Sequence, residues 1–479
     1  MQKFVSIYSL AAHLAILAVA PLFLYPFAGT GWVAAAVLWL SLFAAFWVVM
    51  EPARLRGEMP HDARERVLYD ILHDPFFYFL LALVVLTGIR ALNGGIAMAY
   101  DLEAGRWIIR PPSVEFLPGS TADAGGLEFA AAVALTVLVM GCRHALAKRA
   151  RTLVLMFMSL FAGIGGYAAA VAWCTGHAEA VRLVTAAGSL VSHSGVAFAL
   201  YFIAGIFALG SAFENGWRGY IGWSMLGVSG SALGAFLFAP SSIVMVAAIA
   251  AAVALAIVAV RTVRMVSPVA MVKLLLAVAA ALVLPAMGVM NFMPHEQQLA
   301  KIGAFVGQSW LDEGTLALRS TLSDIAIDVW KKHLWIGSGL GSVPLQLRFA
   351  ATPELWKLMP SGPTSVMNGW CALLMERGIF GVVLPLVALG FMFYGWIRRL
   401  VDVVIEFVRG SGELTLAEAY SPMAVLPLVA LTVPVASGFF DSSFIRPDVV
   451  LALGAFFAVG AGSFRRIHRE TPADEGGKE

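Results

Sequence analysis

Arg182, Arg319 and Arg348 lie outside the long apolar runs of this chain, and Arg90 lies near the end of one. A guanidinium stays charged, and its planar fork pairs two oxygens of a phosphate at once. The same residues also suit a plainer task, snorkelling from a helix to lipid headgroups. An ionisable group such as Arg90 inside a span is costly unless it is paired. His177, His193, His295 and His333 titrate near neutral pH, so each has the chemistry to accept a hydroxyl proton. His193 sits in Ser192-His193-Ser194 at a helix end, downstream of Arg182, whereas His333 adjoins a glycine turn where helix capping is the simpler role. Glu376 lies within two turns of Asn368, placed either to orient a site or to pair with an arginine such as Arg377. No Asp-x-Asp pair or histidine cluster has the spacing of a metal site, so neither a metal nor another cofactor is expected.

These side chains must be positioned by helices that cross a bilayer. Of the 479 residues 60% are hydrophobic and only 13% charged, against about 25% charged in soluble domains. Mean hydropathy is +0.83. The apolar residues come in Leu/Ala/Val/Phe-rich runs of about 20, enough to cross hydrocarbon as helix, and they lack the strict alternation of a β-barrel. The expected fold is all-α, a polytopic transmembrane bundle of twelve spans near 8–28, 30–50, 75–95, 127–146, 152–174, 195–213, 219–239, 241–261, 270–292, 378–396, 421–440 and 448–464. Ala18-Val19-Ala20 resembles a cleavage site, but Pro21 and a second span follow at once, so the first helix reads as retained. With both termini cytoplasmic, the inner segments carry 20 Lys and Arg, against five (Arg90, Arg106, Arg110, Arg182, Arg446) in the short outer ones. The positive-inside rule favours that orientation. A net charge of +2 gives no reason to expect a nucleic-acid partner; membrane lipid is the expected surroundings. Cys142, Cys174 and Cys371 fit neither a metal motif nor a disulfide framework and read as small buried residues.

One segment stands apart. Residues 293–366 separate spans nine and ten on the outer side. Loops this long are more often functional or disordered than idle, and four tryptophans (Trp310, Trp330, Trp335, Trp356) argue against disorder. Leu318, Leu322, Ile325 and Val329 repeat at 4, 3 and 4 residues, the stripe of an amphipathic helix. The chain therefore divides into helices at 1–292, an outer helical loop at 293–366, further helices at 367–464 and a charged cytoplasmic tail at 465–479. Gly337, Gly339 and Gly341 in Ile336–Ser342 lack the βαβ setting of a nucleotide loop. They suit either a tight turn beside the membrane or direct ligand contact. Pro111-Pro112 and Pro118-Gly119, in the 96–126 loop, read as turns.

Two blocks carry a resemblance. Arg319–Trp330 followed by Lys331-Lys-His-Leu-Trp-Ile-Gly-Ser-Gly-Leu-Gly341 resembles the arginine, amphipathic helix and "PLLGxGxGxF"-like turn of the O-antigen ligase and polymerase family. Asn368, Glu376, Gly378 and Gly381 resemble that family's His-Asn, nine residues, Gly-x-x-Gly pattern with its preceding Glu. Arg182 with Ser192-His193-Ser194 is similar to a further family arginine and polar motif. The resemblance implies a bacterial inner-membrane glycosyltransferase of lipopolysaccharide biosynthesis with its active face periplasmic. Its donor would be an undecaprenyl-diphosphate-linked oligosaccharide, and its acceptor lipid A-core or, for a polysaccharide polymerase, a second glycan. On that reading Arg182, Arg319 and Arg348 bind the diphosphate, His193, Glu376 and Asn368 are the catalytic candidates, and Gly337, Gly339, Gly341, Gly378 and Gly381 form the structural motif. The sequence departs from the pattern at Met367, where the family has its histidine base, and at Ser242, where Thr-x-Ser-Arg ends in arginine. Methionine has no proton to exchange, so another residue acts as base, the chain belongs to a polymerase-like or different transferase branch, or it binds without catalysing. A secondary transporter is the rival class, but no internal repeat of the kind transporters show is evident.

Overall fold

In a computed structural model the chain is described for residues 2–24, 29–55, 60–103, 105–146, 148–174, 190–239, 241–292, 313–359, 362–363, 365–408, 422–439 and 446–462. It is mostly helical. The elements in order are α1 (Gln2–Leu24), α2 (Thr30–Leu55), α3 (Pro60–Leu72), α4 (Pro75–Leu92), β1 (Ala97–Asp101), β2 (Arg106–Arg110), α5 (Ala122–Met140) with a π-turn at Gly141–Ala145, and α6 (Lys148–Cys174). There follow α7 (Leu190–Glu214), α8 (Arg218–Phe238), α9 (Ser241–Met265), α10 (Pro268–Phe292), α11 (Glu313–Lys332), α12 (Val343–Ala350), α13 (Pro353–Leu358), α14 (Gly369–Val408), α15 (Pro422–Ser437) and α16 (Pro447–Gly462). Eight helices among the described residues are long and apolar enough to cross a membrane, and three shorter apolar ones accompany them.

The all-α expectation needs one correction. β1 and β2 form an antiparallel hairpin, Ala97 opposite Arg110 and Asp101 opposite Arg106, inside the segment read from sequence as turns. Its strands carry Tyr100, Trp107, Ile108 and Ile109, residues that favour a pleated surface.

The large core is built around α7, which is buried almost all round. Tyr201 in its middle is fully enclosed, and its hydroxyl donates to the Ala18 carbonyl at 2.9 Å. A hydroxyl buried in hydrocarbon needs such a partner. α6 and α8 approach until a Cβ added at Gly163 would lie 2.7 Å from the Leu226 carbonyl oxygen. Small residues permit that contact, which supplies the dispersion energy that hydrophobicity cannot supply between helices in lipid. The outer helices instead expose apolar side chains, as Trp32, Trp39, Phe43 and Phe46 do on α2. That is the surface expected against acyl chains.

A second, smaller core lies apart from the first. Leu322, Ala326 and Val329 of α11 meet Val343 and Leu347 of α12, Leu355 of α13, and Ala372 and Met375 at the start of α14. We call this unit the cap. The stripe read from sequence faces inward here: Leu322 and Val329 are buried and Leu318 and Ile325 pack against them.

At the end of α4 opposite the hairpin, Asp74 caps the helix, accepting from Phe76 N–H at 3.1 Å, with Pro75 in the first turn. The same carboxylate meets His144 Nε2 and Arg143 Nη2, each at 2.9 Å, from the π-turn that ends α5. Burial alone would raise the Asp74 carboxyl, but the His144 hydrogen bond and the Arg143 charge outweigh it and hold the group down at about 2. Arg151 Nε donates to the Cys142 carbonyl at 2.7 Å, satisfying an acceptor at that helix end.

Candidate functional site

The two glycine blocks noted in the sequence meet. Gly378 has φ 62° and ψ −165°, which breaks α14 into a short first part and a long second part. A break leaves orphan carbonyls on one side and orphan N–H groups on the other. The turn at 334–339 answers two groups of each kind. Ser338 N–H donates to the Met375 carbonyl (2.7 Å) and Gly339 N–H to the Glu376 carbonyl (3.1 Å). In return Ile379 N–H donates to the Leu334 carbonyl (3.0 Å) and Phe380 N–H to the Trp335 carbonyl (3.2 Å).

Contact this close is possible only without side chains. Gly337 has φ 73°, and a Cβ there would run into the Glu376 carbonyl group. A Cβ on Gly378 would lie 2.5 Å from both Gly337 N and the Trp335 carbonyl. Gly339 abuts Ile96, and Gly341 abuts Thr121. The turn is thereby stapled to a third segment: Leu340 N–H donates to the Gly119 carbonyl (3.0 Å) and Thr121 N–H to the Leu340 carbonyl (2.8 Å). Asn93 organises that segment, its amide donating to the Val114 and Leu117 carbonyls and accepting from Val114 N–H. Segments 93–121, 335–342 and 375–380 thus form one clasp.

Charged groups sit against it. Glu376 is turned into the glycine turn, where Oε1 accepts from Gly341 N–H at 3.0 Å and the carboxylate also takes the Val343 N–H. Burial pushes this carboxyl up to about 7; Arg377 and the two N–H groups pull it down, and Glu128 adds to the rise. Glu128 of α5 bridges two arginines, with Oε1 2.6 Å from Arg377 Nη1 and 3.4 Å from Arg90 Nη1. Gly381 makes room for the Arg377 side chain, because a Cβ there would overlap its stem. Arg90, near the end of a span, thereby has the partner that such a position demands. Sequence reasoning missed Glu128. The one local sign is a carboxylate near the start of an apolar run.

The remaining sequence candidates are dispersed. Arg319 is half-buried on α11, and Arg348 is exposed on α12, with its Nε 3.3 Å from where a Cβ on Gly362 would lie. Asn368 caps α14: its side-chain oxygen accepts from Trp370 N–H (3.1 Å) and Cys371 N–H (3.3 Å). Met367, beside it, has φ 56°, among the described residues the one non-glycine with positive φ, and its side chain packs against the cap core. His333 lends its carbonyl to Gly337 N–H at 2.9 Å. His193 falls in the first turn of α7, with its side chain outside the described residues; Arg182, His177 and His295 lie wholly outside them. No group of three or more His, Cys, Asp or Glu among the described residues is arranged to hold a metal ion.

The fold and site define a helical membrane protein whose cap is joined to the bundle through a glycine clasp with a charged centre. Residues 227–386, about a third of the chain, match the family model described as O-antigen ligase. The match begins in α8, takes in the cap and both glycine blocks, and ends in α14. No curated protein matches the chain.

Proposed function

We propose that this protein is a glycosyltransferase of the O-antigen ligase type. It would work at the periplasmic face of a bacterial inner membrane and move a glycan from undecaprenyl diphosphate to a hydroxyl of lipid A-core. The observation that carries the reading is the clasp: the residues matched by the family model include both glycine blocks, and these are joined by backbone hydrogen bonds beside Glu376.

In this reaction the acceptor oxygen bonds to the anomeric carbon of the donor sugar. The bond from that carbon to the diphosphate oxygen breaks, and its electron pair leaves with undecaprenyl diphosphate. Negative charge grows on the leaving group, so fixed guanidinium groups lower the barrier. Arg182, Arg319 and Arg348 are assigned this role. The acceptor proton goes to His193, an imidazole at a helix start with a suitable titration range. Met367 cannot take it. Glu376 and Asn368 are positioning residues: one fastens the glycine turn and the other caps the helix that leads to it. With a second lipid-linked glycan as acceptor, the same machinery is a polymerase.

The test is gel profiling of surface glycan in a deletion strain, complemented by wild type, Arg319→Ala or Arg182→Ala at matched protein levels. Loss of long chains, restored by wild type and by neither variant, supports the reading. Lipid-linked polymer left behind marks a ligase; single repeats on lipid A-core mark a polymerase. An unchanged profile in a strain with no second such gene sinks the transferase reading.

A further inference from the structure

The hairpin between α4 and α5 presents an apolar face that stays largely exposed among the described residues. Pairing of Met98 with Ile109 and of Tyr100 with Trp107 puts these four side chains on one face, because alternate strand residues point the same way. Tyr100 and Trp107 pack edge to face at 5.4 Å and remain half-exposed. Leu102 at the tip is 88% exposed, and Phe116, on the return to α5, is 82% exposed. The helix that leads into the hairpin, α4, is long and apolar enough to cross a membrane. Tyr78, Leu81 and Val85 are exposed along one face of α4, and Leu92, where the helix ends, is 90% exposed. Arg106 and Arg110 occupy the hairpin's other face and are also exposed.

We propose that the β1–β2 hairpin is a membrane-interface anchor, with Tyr100, Leu102 and Trp107 entering the headgroup–acyl boundary at that end of α4 and Arg106 and Arg110 meeting lipid phosphates. Tryptophan and tyrosine suit this depth because one part of each ring system is apolar and the other is wet. A bare leucine at a hairpin tip has no such reason to face water. The anchor also fixes the depth of the clasp. Ile96, one residue before β1, packs on Gly339, and Gly119 and Thr121, beyond the Phe116 turn, pair with Leu340. None of this depends on the transferase reading, which it leaves intact if it fails.

The experiment uses the full-length protein in nanodiscs of phosphatidylethanolamine and phosphatidylglycerol. A spin label at Leu102→Cys, with Cys142, Cys174 and Cys371 replaced by Ala, is challenged with oxygen, which concentrates in lipid, and with a water-soluble nickel chelate. Labels at Leu81→Cys on α4 and Glu354→Cys on α13 supply the lipid and water references. The oxygen-to-nickel collision ratio at position 102 should exceed that at position 354 several-fold and approach that at position 81. A ratio equal to that at 354 overturns the anchor. Should the cysteine-free protein fail to fold, a benzophenone amino acid at position 102 in the otherwise native chain decides the matter. A phospholipid adduct upholds the proposal; an adduct to glycan, or to neither, refutes it.

Discussion

Glu128 Oε1 lies 2.6 Å from Arg377 Nη1, linking α5 to the residue just before the break in α14, and the same oxygen is 3.4 Å from Arg90. All three side chains are largely buried. Removing one member of a buried charged group costs about 3–5 kcal/mol, because the charges left behind have lost both water and partner. Glu128→Gln should therefore destabilise the purified protein by roughly that amount, as read from denaturation in mixed micelles. Replacing Arg90, Glu128 and Arg377 together by leucine should cost less than Glu128→Gln alone. A triple variant weaker than the single one would show that the group stabilises the fold rather than specifying it.

The glycines of the clasp should not be interchangeable with glycines elsewhere. Gly378→Ala and Gly337→Ala each combine a left-handed backbone, worth about 1–2 kcal/mol, with overlap onto backbone atoms that cannot swing away. Gly105, in the hairpin turn, has φ 60° but open space around it. Gly105→Ala should lower stability only by the backbone term and leave glycan profiles unchanged. Either clasp variant should abolish long glycan chains at matched expression.

The raised carboxyl of Glu376 gives a signed pH dependence. Its folded value, about 7, exceeds its ordinary 4.5. Between these values the unfolded chain releases the proton and the folded chain keeps it, so this group's contribution is complete below about 4.5 and is lost as pH rises to about 7. The slope of melting temperature against pH across that window should flatten in Glu376→Gln. Neighbouring charges move the window in opposite directions: Arg377→Gln should shift it to higher pH and Glu128→Gln to lower, since the first charge lowers the Glu376 value and the second raises it.

Asp74 behaves in the opposite sense. Its carboxyl is held at about 2 against an ordinary 3.8. Its contribution, about 2 kcal/mol by linkage, is present above pH 4 and fades as pH falls toward 2. Asp74→Asn should lose that stability at pH 7 and show a shallower acid limb in a melting series. An acid limb identical to wild type would mean that the pairing with Arg143 and His144 contributes nothing net.

Much of the architecture was legible because membranes leave few choices. Leu/Ala/Val runs of about 20 residues became helices, and the 4-3-4 spacing of Leu318, Leu322, Ile325 and Val329 became the packed face of α11. The hairpin at Ala97–Arg110 was hidden by its flanks, since Pro111-Pro112 and Pro118-Gly119 advertise turns more loudly than five-residue strands advertise pairing. The glycine blocks could be located but not joined: nothing local to Gly337 says that its neighbour is Glu376. Glu128 escaped for a related reason, because its meaning lies in the pair with Arg90, 38 residues earlier. Asn368 has a structural role that its place in a motif did not announce. A polar residue in a motif invites a chemical role, and its side-chain oxygen here accepts from backbone N–H groups two and three residues on.

The clasp has a consequence for building hybrids of this protein with its relatives. Segments 93–121 and 375–380 are each joined to 335–342 by backbone hydrogen bonds, and the glycines of that turn leave no room for added side chains, so each segment is shaped to its neighbour. A crossover placed between residues 342 and 375 would separate them as surely as a mutation. Exchanging the cap alone should therefore give misassembled protein, whereas a hybrid carrying all three segments from one parent keeps its matched contacts.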